Sequence, residues 1–421
     1  MTNAYQPTGL ALEIFQSRHA SHPEETWAEA CARVATHVSN AESGGQRALW
    51  RDSFQAALLD NTFMPGGRIW YGSGRPRGNL LNCFVVPTAD SREGWGRTLS
   101  DTVVISGTGG GVGINFSPTR ERGAAVHGTG GTATGAVSEM EMVNGVGNVL
   151  KMGGGRRVAL MFGLSASHPD IVEFMNKKLD RNELNNANVS VVFDEDPEAF
   201  FDLVKSGADF PLVHKGRQVG SIPAAELWRR LVDNARKPRE GQGGGEPGLL
   251  NGYLANRMSN IWYVEPLICT NPCGEIWLSA YDGCCLGALV LPRFVRGGKV
   301  QWEHLRDVVA LGVRFLDDVL TVNQYPLPEI AEKCGQLRRI GLGITGLHHM
   351  LLELGLGYNA PEGLEFVDKL MKAIKHASYE ASSDIAREKG SFPAFERDKF
   401  LKSWITMRRF LIYLFHRVIR I

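Results

Sequence analysis

Apolar residues recur at helical spacing through the first part of the chain. TWAEACARVATHV puts Trp27, Ala30, Cys31 and Val34 on one face, and RALWRDSFQAALL does the same with Leu49, Phe54, Leu58 and Leu59. A small helical region over residues 1–75 is predicted. From Asn82 the pattern turns to short runs rich in β-branched and aromatic residues: NCFVVP, GVGINFSP, RRVALMFGLS and ANVSVVFD. In the third of these Val158, Leu160, Phe162 and Leu164 alternate as in a strand. Longer helical patterns separate and follow them: PDIVEFMNKK, AAELWRRLVDNA, WEHLRDVVALGVRFLDDVL with Leu305, Val308, Phe315 and Val319, and LEFVDKLMKAIKHA with Leu364, Val367, Leu370 and Ile374. Strands alternating with helices define an α/β chain. PREGQGGGEPG, residues 238–248, reads as a surface loop, and no unit of roughly 20–50 residues repeats.

Composition narrows the function. The 421 residues carry 46 basic and 45 acidic side chains, a net charge of +1, which excludes a nucleic-acid carrier that works by bulk charge. At 43% hydrophobic and 22% charged residues the chain is an ordinary folded protein. The first twenty residues show no basic start and apolar block, and no run approaches the ~18 apolar residues of a membrane span, so a cytoplasmic location is expected. Cys31, Cys83, Cys269, Cys273, Cys284, Cys285 and Cys334 are then expected as reduced thiols. Glycine, at 49 residues, is concentrated in a few runs where backbone must turn or approach closely.

Those runs are GTGGGVG (107–113), GTGGTATG (128–135), KMGGGRR (151–157) and the 238–248 loop. The second fits a dinucleotide spacing through Gly128, Gly130 and Ala133, but no convincing strand precedes it and no helix pattern follows; a P-loop sequence is missing altogether. TNPCGEI is more informative. If extended, it directs Asn271, Cys273 and Glu275 to one face, bringing together an amide, a reactive sulfur and a base. The plainer reading is a buried cysteine in a turn beside a surface glutamate. Zinc is a poor rival, because Cys269, Cys273, Cys284 and Cys285 lack the paired C-x-x-C spacing of a zinc ribbon. Cys83, at the start of a strand, and the Cys284–Cys285 pair add thiols that with Cys273 suggest redox or radical chemistry.

Taken in order, GNLLNCFVVP, GTGGGVGINFSPTRERG, KMGGGRRVALMFGLSASHPDIVEFMNKK, NNANVSVVFDEDPEAF, EPGLL, TNPCGEI, CCLGALVLPRFV, RRIGLGITGLHHML and EKGSFPAF resemble the large catalytic subunit of ribonucleotide reductase, classes I and II. The resemblance implies a ten-stranded α/β barrel over residues 76–396, with Cys273 on a finger loop at its centre; residues 397–421 form a basic, apolar tail that the family does not share. It implies reduction of ribonucleotides to deoxyribonucleotides. Cys273 would carry a thiyl radical that abstracts the ribose 3′ hydrogen, Glu275 would take the 3′-hydroxyl proton, and Asn271 would bond the ribose hydroxyls. Cys83 and Cys284 would reduce the substrate and end as a disulfide; Cys285 stands where the family has Asn, so Cys284 keeps the register. Asn82, Gly110, Gly111, Asn188 and Ser190 are candidate substrate contacts, and the loop from Lys178 to Asn186 resembles the segment that reports the effector to base choice.

After EKGSFPAF the family continues through a phosphate loop, further barrel strands and a cysteine pair, whereas this chain closes with SWITMRRFLIYLFHRVIRI, as in a truncated or frameshifted product. A barrel lacking its last strands, with open edges, is expected, and no ATP-binding cone is expected before it. The first reading of cofactor is adenosylcobalamin, from the short N-terminus and the wording of NCFVVP and GGGRR. The alternatives are a class I subunit that binds no cofactor directly and takes its radical from a metal-containing partner, and an inactive nucleotide-binding paralogue. The glycyl-radical class is disfavoured because it lacks the Glu of N-x-C-x-E. Implied partners are a ribonucleotide, a nucleotide effector, a thioredoxin- or glutaredoxin-type reductant and a second copy of the chain, with neither nucleic acid nor membrane among them.

Overall fold

The computed structural model describes residues 5–128, 130–150, 158–180, 182–236 and 245–403. The KMGGGRR run, most of the 238–248 loop and the tail beyond 403 lie outside the described residues. Strands in chain order are β1 Phe63–Pro65, β2 Cys83–Val85, β3 Gly111–Asn115, β4 Leu160–Ser165, β5 Ala187–Phe193, β6 Asp209–His214, β7 Arg217–Pro223, β8 Gly248–Asn251, β9 Cys269–Thr270, β10 Trp277–Leu278, β11 Gly283–Val290, β12 Val295–Arg296, β13 Lys299–Val300 and β14 Ile340–Thr345. The chain divides into two compact units, one of residues up to 82 with 284–397, the other of 83–283 with 398–403.

In the first unit the helix Trp27–Val38 opens on a capping box between Thr26 and Glu29 and buries Trp27, Ala30, Cys31 and Val34, as its spacing predicts. The helix Arg47–Leu59 departs from expectation: Phe54, Ala57 and Leu58 are buried, but Leu49 is 61% exposed. Phe54 packs edge-on against Phe315 and so fixes the inward face, and Leu49, five residues earlier, lies about 140° away around the helix. The helix Trp302–Val322 covers a small mixed sheet in which β11 pairs antiparallel with β1 and parallel with β14. Phe63 of β1 packs edge-on against Phe315 of this helix.

The second unit is built on five parallel strands in the order β2-β3-β4-β5-β8, with helices in the connections. The run Val158–Leu164 is strand-like as its alternation predicts, and Met161, between the alternating positions, is buried together with Leu160 and Phe162. Parallel sheets are covered on both sides, and here the second cover is the segment 268–278. HPDI fixes the loop before the helix Ala136–Val149: Asp170 accepts from the backbone N–H groups of Arg122 and Ala136. His168 accepts from Asp170 N–H at Nδ1, so its proton sits on Nε2 and is donated to Thr119 O. Among the described residues no helix is long and apolar enough to cross a membrane.

Candidate active site: a cysteine hairpin on a glycine-lined sheet

TNPCGEI is not extended. Asn271, Pro272, Cys273 and Gly274 form a tight turn closed by Gly274 N–H donating to Asn271 O at 3.0 Å, with Asn at the first position, Pro at the second and Gly at the fourth, as type I turns prefer. Gly274 has φ +80. The turn joins β9 to β10, paired Thr270 with Trp277 and Cys269 with Leu278. The expectation that Asn271, Cys273 and Glu275 share a face is therefore overturned: Asn271 is fully buried, while Cys273 and Glu275 are exposed at the tip. Pro272 and Gly274 break the alternation on which that expectation rests.

Strand register explains how the hairpin is seated. Cys83 and Val85 of β2, Gly111, Gly113 and Asn115 of β3, Met161 and Gly163 of β4, and Asn188 and Ser190 of β5 lie on one face of the sheet. The hairpin rests on that face, its base packed through Cys269 and Leu278 against Val85 and Met161. Glycines make room for it. A Cβ at Gly113 would stand 1.9 Å from Thr270 O, and one at Gly111 2.7 Å from Pro272 Cγ. Two asparagine side chains tie it down: Asn115 Nδ2 donates to Ile268 O at 2.9 Å and Asn188 Nδ2 to Pro272 O at 2.8 Å.

At the tip, partial burial raises the Cys273 thiol above the ordinary thiol range, and the Glu275 carboxylate and Cys83 push the same way. Its sulfur keeps its proton at neutral pH. Asn271 Oδ1 accepts from Ile276 N–H at 3.3 Å, but its buried Nδ2 has no hydrogen-bond partner among the described residues. Such an orphaned donor is costly unless something bonds it. Cys83 is half-buried on the same sheet face. Cys269 is sealed in the core, with burial pushing its thiol up to about 12. No group of three metal-ligating side chains occurs among the described residues.

The remaining candidates have other surroundings. Gly110 is a packing glycine, with Phe84 and Ile105 filling the space a Cβ would need. Ser190 is buried against Gly248. Asn82 and Cys284 belong to the first unit. There Asn82 Oδ1 accepts from Arg68 N–H at 3.3 Å, and its own N–H donates to Cys284 O at 3.4 Å. Cys285 aims its sulfur at Leu316 O, 3.5 Å away beneath the helix Trp302–Val322. Cys284, also buried, points to the opposite face of β11. The loop 178–186, of which Arg181 lies outside the described residues, is anchored by the buried Lys178 ammonium donating to Leu184 O and Ala187 O.

The model of the ribonucleotide reductase barrel domain matches residues 81–411, and that of the ribonucleotide reductase all-alpha domain matches residues 5–78. The chain belongs to the ribonucleotide reductase family. It is 36% identical over 404 residues to the vitamin B12-dependent ribonucleoside-diphosphate reductase of Mycobacterium tuberculosis strain CDC 1551, covering 93% of this chain and 57% of that protein. It is 36% identical over 359 residues to the Thermoplasma acidophilum protein of the same description, covering 84% of this chain and 46% of that one. The large chain of the Schizosaccharomyces pombe ribonucleoside-diphosphate reductase is 29% identical over 77% of this chain and 43% of its own. This ribonucleotide reductase chain thus spans about half the length of the curated relatives it matches. Sequence reasoning missed Asn115, Gly113 and Gly163 as parts of the site; the glycines at alternate positions in GVGIN were the available signal.

Proposed function

We propose that the protein reduces ribonucleoside diphosphates to 2′-deoxyribonucleoside diphosphates by a thiyl-radical route centred on Cys273. The observation that carries this is the hairpin tip, where a thiol held protonated stands beside a carboxylate, in a turn whose first residue, Asn271, has a buried amide donor with no hydrogen-bond partner among the described residues. A hydrogen-atom relay needs an S–H rather than a thiolate. Cys273 abstracts the ribose 3′ hydrogen, Glu275 takes the 3′-hydroxyl proton, and Asn271 Nδ2 bonds a ribose hydroxyl. Cys83 and Cys284 supply two electrons and two protons, ending as a disulfide while the 2′-hydroxyl leaves as water; a thioredoxin- or glutaredoxin-type protein then restores them. Cys285 is directed at Leu316 O, whereas Cys284 points to the opposite face of β11, which favours Cys284 in that pair.

Adenosylcobalamin supplies a carbon-centred radical when bound, and the relatives named as vitamin B12-dependent support it as the cofactor. The fit on this chain rests on Cys273, a protonated thiol that reaches the surface. An effector nucleotide suits the pocket of about 290 Å³ in the second unit, which is lined by Trp95, with a face on which a base can stack, by Arg92 and by Arg120, the last paired with Asp90. The test is deoxynucleotide formation with adenosylcobalamin and a dithiol. Product should form, and Cys273→Ala should abolish it while nucleotide binding persists. Product from the Cys273→Ala variant would refute the reading; turnover only with an added metal-containing subunit would move the protein to class I.

A further inference from the structure

Sequence reasoning gives Asn188 to the substrate, but its geometry is that of a tether. Its Nδ2 donates to the carbonyl of Pro272, the residue next to Cys273, from the strand register directly beside Met161 on the hairpin-bearing face. Gly111, also a substrate candidate, is used up by the ring of the same proline. The base of the hairpin is held by Asn115 on Ile268 O and by the apolar packing of Cys269 and Leu278, so it is fixed without Asn188. At the tip Pro272 is buried with its ring over Gly111, but Cys273 and Glu275 are exposed, and the hydrogen bonds within the turn tie it only to the hairpin itself.

We propose that Asn188 is a positioning residue that fixes the Cys273 turn through Pro272, and that it is not a substrate ligand. The inference rests on reading Cys273 as the reactive thiol, but its test does not depend on turnover. In Asn188→Ala, amide hydrogen exchange at Gly274 and Ile276 should speed up by about threefold to tenfold, the range that loss of one ordinary hydrogen bond allows. Iodoacetamide should label Cys273 faster, with the melting temperature and the affinity for a nucleoside diphosphate unchanged. Asn188→Asp is isosteric but sets an acceptor against the Pro272 carbonyl. It should loosen the turn at neutral pH, with protection factors returning as acid protonates the carboxyl at about pH 4.

Wild-type protection in Asn188→Ala, or in Asn188→Asp at neutral pH, overturns the tether. Weakened nucleotide binding with protection intact makes Asn188 a substrate ligand and also overturns it. Should Asn188→Ala fail to fold, the isosteric Asn188→Asp carries the test. A Cys273→Ala variant that still reduces nucleotides defeats the functional reading and leaves the exchange result standing.

Discussion

Burial separates the cysteines of this chain into kinds. It pushes the thiols of Cys31 and Cys269 up to about 12, and raises Cys285 beyond any pH the protein would meet, so these sulfurs act as small core groups. Cys273 is raised as well, but it reaches the surface, and part of its shift comes from the neighbouring carboxylate. A raised thiol pKa means less thiolate at a given pH, hence slower alkylation and a sulfur that holds its hydrogen. Glu275→Gln removes the negative charge and should lower the Cys273 pKa. At pH 8 iodoacetamide should then label Cys273 about two- to fivefold faster, the size expected of one exposed charge a few ångströms away. An unchanged or slower rate would show that Glu275 does not act on the sulfur.

At the scale of elements, legibility followed chemistry. Val-, Ile- and Phe-rich runs marked β2 to β5, because strands buried on both faces are apolar throughout. Several strands escaped notice, β1, β6, β7 and β14 among them. β1 is only three residues long, the β6–β7 hairpin is mostly exposed and buries only Phe210 and Ile222 as apolar side chains, and β14 carries two glycines in place of alternating bulk. The cysteine motif was found, but its shape was misread: same-face alternation was weighed above the Asn-Pro-x-Gly turn signal written in the same four residues. The glycine runs gain a physical reason from the hairpin they seat. Gly113→Ala sets a methyl against the Thr270 carbonyl and should cost about 2 kcal/mol or more in chemical denaturation. Gly145→Ala, inside the helix Ala136–Val149 with open space around it, should instead be neutral or stabilising by about 0.5–1 kcal/mol. Equal costs at the two positions would mean that the hairpin does not press on β3.

The longest-range tie in the first unit is ionic, and no pattern of hydrophobic spacing could reveal it. Arg314, on the helix Trp302–Val322, holds Glu42 at 2.7 and 2.8 Å and Glu388 at 2.6 and 2.7 Å, and Lys389 bridges Glu42 to Asp318. The network joins the N-terminal helical segment to the end of the helix Pro361–Lys389. Its two buried carboxyls are driven apart. Burial pushes Asp318 up to about 8 in spite of Lys389. Burial would raise Glu42 too, but hydrogen bonds from Arg314 and then Lys389 outweigh it and hold Glu42 at about 2. The signs follow. Asp318 keeps a proton in the folded state that the unfolded chain releases above 3.8, so its contribution is full below that pH and is lost as pH rises through about 8. Glu42 contributes fully above 4.5 and loses that as pH falls through about 2. Asp318→Asn removes the first titration and keeps the shape. The melting-temperature advantage of the wild type over this variant should therefore shrink or reverse between pH 5 and pH 9. Arg314→Met should be destabilising by about 3–5 kcal/mol at neutral pH, because it strands buried carboxylate charge rather than merely deleting a pair. Thermal denaturation across that pH range decides both: a constant difference for Asp318→Asn would mean the carboxyl is ionised throughout, and a silent Arg314→Met would mean that the network does not bind the segments together.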